Sequence, residues 1–410
     1  MTSLHISSQF DGGNIKVINK DNPEHIQLEI NKDVNSGFYQ WFYYRVGGAE
    51  GQSLTMHLNN APESSYAKGW IDYRAVASYD REHWFRVDTA YDGEKLTIQH
   101  TPECNTVYYA YFAPYSMERH HDLIAWAQQS AIVQTETLGD TLDGQPMDLL
   151  KIGAGKGKRS CWVIARQHPG ETMAEWWMEG FLQRLLDPAC PVARELLKKA
   201  VFYVVPNMNP DGSRRGYLRS NACGANLNRE WAAPTPERSP EVLLVRNKMD
   251  ETGVDLALDV HGDEALPYNF IAAAEGIPSW TDRLNALTEN YLQALVQASP
   301  DFQTEFGYPK DEPGKANMTV CTAALAERFD CLSMTLEMPF KDTVDSPDEY
   351  QGWSPERSQA LGAANLNAMF AVIDHLRQDA SIKDMVFTRK AVSYKKHFLQ
   401  DSPIKEDSEE

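Results

Sequence analysis

The sequence predicts an α/β domain with a mostly parallel mixed sheet flanked by helices, preceded by an all-β antiparallel sandwich domain. Residues 1–115 contain short alternating or aromatic segments separated by turn signals, which is typical of a sandwich. Beyond them, strand-like runs alternate with helical patterns, which indicates a largely parallel sheet. We therefore expect a β-sandwich domain at 1–115, an α/β domain at 116–378 and a charged tail at 379–410.

Composition narrows the class of protein before any motif is considered. Hydrophobic residues make up 42% of the chain and charged residues 24%, which is ordinary for a globular protein. A net charge of −19 argues against binding to nucleic acid or to anionic membranes. The chain shows neither a signal peptide nor an apolar run of ~18 residues. Six cysteines without a CxxC pair favour reduced thiols, so we expect a cytoplasmic protein. The sequence does not determine the oligomeric state.

The first part of the chain predicts a series of short strands. An aromatic run begins at Phe38 and ends at Tyr44, and we expect it to serve core and cross-strand packing, with a binding surface as the alternative. Turns such as Asp92-Gly93 separate the segments. The predicted strands lie at 15–18, 26–30, 39–46, 53–58, 84–87, 96–100 and 106–112.

The second part predicts strands and helices in alternation. Ser116 and Ser354 are expected N-caps, and Pro355 at the first helical position strengthens the second of these starts. The other predicted helices lie at about 172–186, 239–250 and 279–297. The predicted strands are 149–152, 161–165, 201–205, 256–260 and 332–336.

A tight turn follows the strand at 161–165, because Pro169 and Gly170 break it. His168 and Glu171 flank this turn at the carboxyl end of the strand, where open parallel sheets build their sites. Zinc accepts both an imidazole nitrogen and a carboxylate oxygen, and a catalytic zinc needs one more protein ligand. The turn therefore supplies two of the three protein ligands that a catalytic zinc would need, His168 and Glu171.

Two further strands end in residues that suit such a site. His261 follows the strand at 256–260 in the same position as His168 follows its own strand, so it is the candidate third ligand. Asp259 or Asp263 could fix the tautomer of a ligating histidine. Glu337 ends the strand at 332–336 and is the candidate general base.

A polar stretch between these strands contains a candidate anchor for a carboxylate. In Asn228-Arg229 the guanidinium can bind two carboxylate oxygens while the amide adds a donor. An Asn-Arg pair alone carries little information, since most arginines lie at the surface.

These motifs, taken in order, resemble the M14 zinc carboxypeptidases. The front of the chain is similar to that of the cytosolic carboxypeptidases, the deglutamylase-like branch of this family, and the chain resembles a bacterial-type member of that branch. The resemblance covers about residues 8–375. The matching front segments are Phe38-Tyr-Gln-Trp-Phe-Tyr-Tyr-Arg-Val46 and Tyr108-Tyr-Ala-Tyr-Phe-Ala-Pro-Tyr115. The matching site motifs are His168-Pro-Gly-Glu171, Asn209-Pro-Asp-Gly212, Asn228-Arg229, His261-Gly262 and Thr335-Leu-Glu337.

The resemblance implies a zinc metallocarboxypeptidase that hydrolyses the C-terminal peptide bond, or an isopeptide-like glutamyl bond, of peptides or protein tails. His168, Glu171 and His261 would hold one Zn²⁺ per chain. Glu337 would take a proton from the zinc-activated water and pass it to the leaving amine.

The resemblance also implies how the substrate is held. Arg219 would polarise the scissile carbonyl. Asn228 and Arg229 would bind the terminal carboxylate. A substrate-contacting tyrosine is expected ahead of the catalytic Glu, and Tyr308 is the nearest. Glutamate-trimming relatives are expected to carry a basic residue in the pocket for the terminal side chain, upstream of the catalytic Glu, where Lys310, Lys315 and Arg328 lie.

Two alternatives remain open from the sequence. One is a zinc amidohydrolase that acts on cell-wall γ-glutamyl peptides or on acyl amino acids. The other is an inactive binding protein that uses the β-sandwich, although an intact set of ligands and base argues against it.

Overall fold

The computed structural model describes residues 4–377, so the predicted tail at 379–410 lies outside the described residues. The front of the chain forms two five-stranded sheets, with orders β1-β4-β10-β6-β7 and β2-β3-β5-β9-β8. Their strands are β1 (His5–Ser7), β2 (Lys16–Asn19), β3 (Ile26–Glu29), β4 (Tyr43–Gly47), β5 (Leu54–Leu58), β6 (Val76–Ser78), β7 (Phe85–Arg86), β8 (Asp88–Tyr91), β9 (Leu96–His100) and β10 (Thr106–Ala110).

The antiparallel sandwich is confirmed, with one parallel pair, β3–β5, among its strand pairings. Strands β1, β6 and β8 are additions to the prediction. Each has only three or four residues, which is too short for a pattern of alternation to show. The aromatic run serves packing as expected, since its members from Tyr39 to Tyr44 are buried, whereas Phe38 is half-buried.

The catalytic part is built on a seven-stranded mixed sheet of order β11-β12-β14-β13-β15-β17-β16. Its strands are β11 (Val133–Asp140), β12 (Pro146–Ile152), β13 (Arg159–Ala165), β14 (Ala200–Val205), β15 (Leu256–Asp263), β16 (Phe270–Ala273) and β17 (Leu332–Pro339). The four central strands β14, β13, β15 and β17 are parallel, and the outer pairings are antiparallel.

Eight α-helices accompany this sheet within residues 4–377. They are α1 (Met117–Ala127), α2 (Met173–Leu185), α3 (Pro191–Lys199), α4 (Pro210–Arg215), α5 (Pro240–Thr252), α6 (Asp282–Ala298), α7 (Cys321–Phe329) and α8 (Pro355–Val372). Short 3-10 helices occur at Pro23–His25, Ala61–Glu63, Ala67–Trp70, Leu227–Arg229 and Ile373–His375. Both predicted N-caps are confirmed, because the Ser116 and Ser354 hydroxyls accept backbone N–H bonds from Arg119 and Arg357.

One apolar core runs from the sandwich into the face of the sheet covered by α2, α6 and α8, joining side chains such as Phe42, Trp177, Leu287 and Leu366. A smaller core fills the other face under α5 and α7, around Trp162 and Leu325. Because the larger core is continuous, the sandwich packs directly on the catalytic part.

A buried arginine joins the two parts at the end of β17. Arg86 of the sandwich donates hydrogen bonds to the carbonyls of Phe340 at 2.9 Å and Trp353 at 3.1 Å. The ring of Phe340 also stacks on Tyr111 with centroids 4.4 Å apart. These contacts fix the strand that carries Glu337 against the sandwich.

Two further findings concern the helices and the cysteines of the described residues. None of the helices within residues 4–377 combines the length and apolar character that crossing a bilayer requires. All six cysteines are free thiols, and four of them are buried.

Candidate metal centre and active site

The predicted site residues meet because three parallel strands end side by side. In the pairing of β13 with β15, Ala165 lies opposite Val260, so the turn after β13 reaches the level of His261. In the pairing of β15 with β17, His261 lies directly opposite Glu337. The carboxyl ends of neighbouring parallel strands share one edge of a sheet, which is where sites in such sheets form.

The turn that carries His168 and Glu171 is held tightly. Arg166 has a positive φ of 59°, and its Nε donates to the carbonyl of Pro169 at 3.0 Å. The N–H of Gly170 donates to the carbonyl of Leu218 at 2.9 Å. A Cβ on Gly170 would lie 2.9 Å from that carbonyl oxygen, so the close approach favours glycine.

The two histidines and the glutamate form one cluster of possible metal ligands. Their donor atoms all lie within 4.8 Å of one another, and all three side chains are buried. Nδ1 of His168 lies 2.6 Å from Oε1 of Glu171, and Nδ1 of His261 lies 2.9 Å from its Oε2. The Nδ1 atoms and the carboxylate therefore converge on one point.

The outward nitrogens of the two rings have their own partners. Nε2 of His168 lies 3.0 Å from Oδ1 of Asn226, and Nε2 of His261 lies 2.9 Å from Oδ2 of Asp259. Both partner atoms are acceptors, which assigns the proton to Nε2 and leaves the Nδ1 lone pair facing the cluster. Asp259 is thus the partner of His261, whereas Asp263 is bound elsewhere.

The buried charges of the cluster are unevenly compensated. Burial lowers the pKa of His168 to about 4, and the nearby charge of Arg219 acts in the same direction. Burial also disfavours a proton on His261, but Asp259 and Glu171 outweigh it and raise the pKa of His261 well above its ordinary range. Burial disfavours the charge on Glu171, yet both histidines outweigh this effect and lower its pKa.

This cluster fits a divalent cation in its chemistry. Two imidazole nitrogens and one carboxylate are the donor set of many catalytic zinc sites, which keep one position open. A cation at this point would take over the role of the proton on His261 in balancing the buried carboxylates. The residues present therefore suit zinc.

Glu337 lies beside the cluster with one oxygen unsatisfied. Its Oε1 lies 3.3 Å from the hydroxyl of Tyr308, while its buried Oε2 has no hydrogen-bond partner among the described residues. The Tyr308 hydroxyl also donates to Oδ2 of Asp263 at 2.6 Å, which places this tyrosine at the site. Burial raises the pKa of Glu337 well above its usual range, with His261 opposing and Glu171 adding to the rise. Such a carboxyl is suited to holding a proton.

The remaining predicted residues lie on the segment between α4 and α5. Arg219 is close enough to affect the pKa of both His168 and Glu264. Oδ1 of Asn228 accepts the backbone N–H of Cys321 at 2.8 Å, and the N–H of Asn228 donates to Oδ1 of Asn226. Because Asn226 also contacts His168, the Asn228-Arg229 pair is tied to the metal cluster.

The basic residues considered for a side-chain pocket are engaged elsewhere or lie at the surface. Lys310 pairs with Glu275 at 2.9 Å. Arg328 pairs with Asp250 at 2.7 Å on the exposed side of α7. Lys315 is exposed. These positions therefore favour none of the three as the basic residue of a side-chain pocket.

Sequence reasoning missed several residues of the site. Gln167 donates to Oδ2 of Asp259 at 2.6 Å and accepts from Nε1 of Trp231 at 2.8 Å. Glu264 is buried, and burial together with Glu171 and Asp263 raises its pKa well above the usual range. Gln167 adjoins His168 in sequence, and Glu264 follows His261 by three residues, so proximity to the ligands was the one available signal.

Comparison with known proteins identifies the family of this chain. Residues 6–112 match the cytosolic carboxypeptidase N-terminal domain, and residues 122–365 match the zinc carboxypeptidase family, M14. The crystal structure of a metallo-carboxypeptidase from Pseudomonas aeruginosa, in complex with (2-guanidinoethylmercapto)succinic acid, is 44% identical. It has a TM-score of 0.89, with 91% of this chain and 100% of that chain covered. A crystal structure from Shewanella denitrificans is 58% identical, with a TM-score of 0.89 and 90% and 99% of the two chains covered.

Animal relatives are longer. Cytosolic carboxypeptidase 1 of Mus musculus is 28% identical over 58% of this chain. The match covers only 23% of the length of that relative. The fold and the site define a metal-dependent peptidase with an added β-sandwich. The chain belongs to the M14 zinc carboxypeptidase family and is a metallocarboxypeptidase.

Proposed function

We propose that this enzyme removes single residues from the free C-termini of peptides or protein tails, using one zinc ion held by His168, Glu171 and His261. The observation that carries the proposal is the convergence of these three donors beside Glu337, whose Oε2 is buried without a partner in residues 4–377. Zinc, when bound, would polarise the scissile carbonyl and lower the pKa of water to about 7.

Glu337 would handle the proton of the reaction. Its Oε2 has no partner within the described part of the chain, so it can accept a proton from the attacking water and hold it there. The same oxygen would then deliver the proton to the amine nitrogen that leaves. The hydroxyl of Tyr308, which lies 3.3 Å from Oε1, would keep the carboxyl oriented during both transfers.

Three residues on one segment would hold the substrate. Arg219 would stabilise the negative charge that develops on the scissile carbonyl oxygen. Asn228 and Arg229 would bind the terminal carboxylate, which restricts cleavage to chain ends. The (2-guanidinoethylmercapto)succinic acid in the complex of the Pseudomonas aeruginosa relative carries two carboxyl groups, which is consistent with an anion-binding subsite here.

Compartment and domain division form part of the same proposal. We assign the enzyme to the cytoplasm, because all six of its cysteines are free thiols. We assign residues 1–115 to a sandwich domain and residues 116–378 to the catalytic domain. The net charge of −19 supports a peptide rather than a nucleic acid as the partner.

The test is a panel of peptides with varied C-termini, each supplied as the free acid and as the C-terminal amide. We expect cleavage of the acids only, abolished by a chelator and restored by zinc. Asn228→Ala and Arg229→Ala should raise KM for acids about 10-fold or more, because they remove partners of the carboxylate. Arg194→Ala, at an exposed arginine of α3, is the matched control and should leave KM unchanged.

Other outcomes would redirect the assignment. Equal cleavage of acids and amides would contradict the role of Asn228 and Arg229. Cleavage confined to γ-glutamyl peptides or acyl amino acids, added to the panel for this purpose, would favour the amidohydrolase alternative.

A further inference from the structure

A carboxylate of the sandwich binds the backbone that carries Arg219. Asp33 lies after β3 and is only 2% exposed. Its Oδ1 accepts the N–H of Leu218 at 2.8 Å, and its Oδ2 accepts the N–H groups of Arg219 and Ser220, both at 2.8 Å. Three successive backbone donors pointing at one carboxylate form an anion-binding nest, and charge-assisted bonds of this kind are strong.

The guanidinium of Arg219 is held from the same domain. Its central carbon lies 5.4 Å from the ring centroid of Phe38 and 5.5 Å from that of Tyr66. Both distances fall within the range of a cation–π contact. Tyr66 is itself fixed, because its N–H donates to Oε1 of Gln40 at 2.8 Å and its carbonyl accepts from the Gln40 amide.

The loop around Asp33 lies directly against the segment it binds. A Cβ on Gly224 would collide with the carbonyl of Asn35, which shows how closely the two loops approach. Nδ2 of Asn14 also donates to the carbonyl of Gly216 at 3.0 Å, at the start of the same segment. The sandwich therefore contacts this segment on both sides of Arg219.

We propose that Asp33, together with the rings of Phe38 and Tyr66, is a positioning device for Arg219, so that the sandwich domain completes the active site. The inference rests on the role proposed for Arg219 in stabilising charge on the scissile carbonyl. An arginine side chain loses much rotamer freedom when it is placed, and the sandwich removes that freedom before substrate arrives. A 1 Å displacement of such a group is enough to slow catalysis about 100-fold.

The test compares Asp33→Asn with Arg219→Ala and with the double variant. The amide introduced by Asp33→Asn has one acceptor oxygen and one donor nitrogen, so it cannot accept all three N–H groups. We expect Asp33→Asn to lower kcat about 10-fold or more with KM for the free acid little changed, because Arg219 acts in the transition state. The double variant should be no slower than Arg219→Ala alone, within about twofold.

Controls separate positioning from general loss of structure. Zinc content and the midpoint of urea unfolding are measured for every variant. Asp92→Asn removes a sandwich carboxylate that also caps backbone N–H groups, those of Glu94 and Lys95, without touching Arg219, and should leave kcat unchanged. If Asp33→Asn does not fold, Phe38→Leu replaces it, because Phe38 is half-buried and touches the guanidinium directly.

Each result has a defined meaning. If Arg219→Ala retains near-normal kcat, the proposed role of Arg219 fails and the positioning inference fails with it. If Arg219→Ala is slow but Asp33→Asn and Phe38→Leu are normal, the positioning inference alone is overturned. Fully additive losses in the double variant would show that Asp33 acts independently of Arg219, which also overturns it.

Discussion

Nε2 of His261 lies 2.9 Å from Oδ2 of Asp259, two residues earlier on the same buried strand. Side chains two apart on a strand point to the same face, so β15 itself supplies both the proposed ligand and the group that orients it. Gln167 and Trp231 extend this contact, since Gln167 donates to Asp259 and accepts from the indole of Trp231. The ring of His261 is therefore fixed by a chain of buried hydrogen bonds.

Asp259→Asn should weaken zinc binding about 10- to 100-fold, because the carboxylate sets the tautomer and raises the basicity of the ligand nitrogen. His261→Ala should lose most of the bound metal. Competition with a chromophoric chelator measures both effects. Asp250→Asn, which removes an exposed partner of Arg328, is the control. An affinity unchanged in Asp259→Asn would show that the contact does not tune the metal.

Glu337→Gln should keep its zinc but lose about 100- to 10,000-fold in kcat, because an amide cannot accept and return a proton. Metal analysis checks that zinc is retained, and turnover of a free-acid peptide, measured on the same sample, checks the loss of kcat. Glu50→Gln, at an exposed position of the sandwich, should behave as the unmodified enzyme. Near-normal turnover with zinc bound would remove Glu337 as the base.

The buried carboxyl of Glu241 predicts a dependence of stability on pH. Burial raises its pKa from 4.5 to about 7, and Asn221 donates to it from the segment that carries Arg219. The folded state then holds a proton that the unfolded chain loses above pH 4.5. The free energy of unfolding should therefore fall as pH rises from about 4.5 to about 7, by roughly 3 kcal/mol from this group.

Glu241→Gln should remove that loss, because the amide stays neutral at every pH. Urea unfolding is measured at about pH 5 and about pH 8, on either side of the pKa of the buried group. Relative to the unmodified protein, Glu241→Gln should have a higher free energy of unfolding at the higher pH and little or no increase at the lower pH. The exposed Glu237 supplies the control substitution, which should show no such difference. A gain that is equal at both pH values would contradict the assignment of the buried proton to Glu241.

The close contact between α2 and α8 predicts that replacing Gly362 by alanine destabilises the protein, contrary to the usual effect of alanine in a helix. A Cβ on Gly362 would overlap the carbonyl oxygen of Trp177. Gly→Ala in a helix normally stabilises by up to about 1 kcal/mol. Gly362→Ala should instead destabilise by about 1–3 kcal/mol, because the two helices must separate.

Urea unfolding measures this change. Ala360→Gly, at an exposed interior position of the same helix, isolates the intrinsic helix preference and should cost about 1 kcal/mol. Stabilisation by Gly362→Ala would show that the helices can move apart at no cost.

Sequence patterns alone predicted the two-part architecture and the set of candidate ligands. The turn at Pro169-Gly170 and the positions of His261 and Glu337 at strand ends were local features, and parallel strands bring such ends to one edge. Strands as short as β6, and the helices α3 and α7, were missed because their patterns are brief or interrupted.

Only the tertiary structure decided which carboxylate serves which partner. Asp259 and Asp263 each lie two residues from His261, so strand alternation places both on the face of His261 and cannot distinguish them. The tertiary contacts do, because Asp259 lies against Nε2 of His261 whereas Asp263 accepts from the hydroxyl of Tyr308. Asp33 lies 185 residues from Leu218, and no local pattern couples a loop of one domain to the backbone of another. Candidate ligands near strand ends can be predicted from the strands, whereas a loop residue such as Asp33 meets its partner only through the packing of the whole fold.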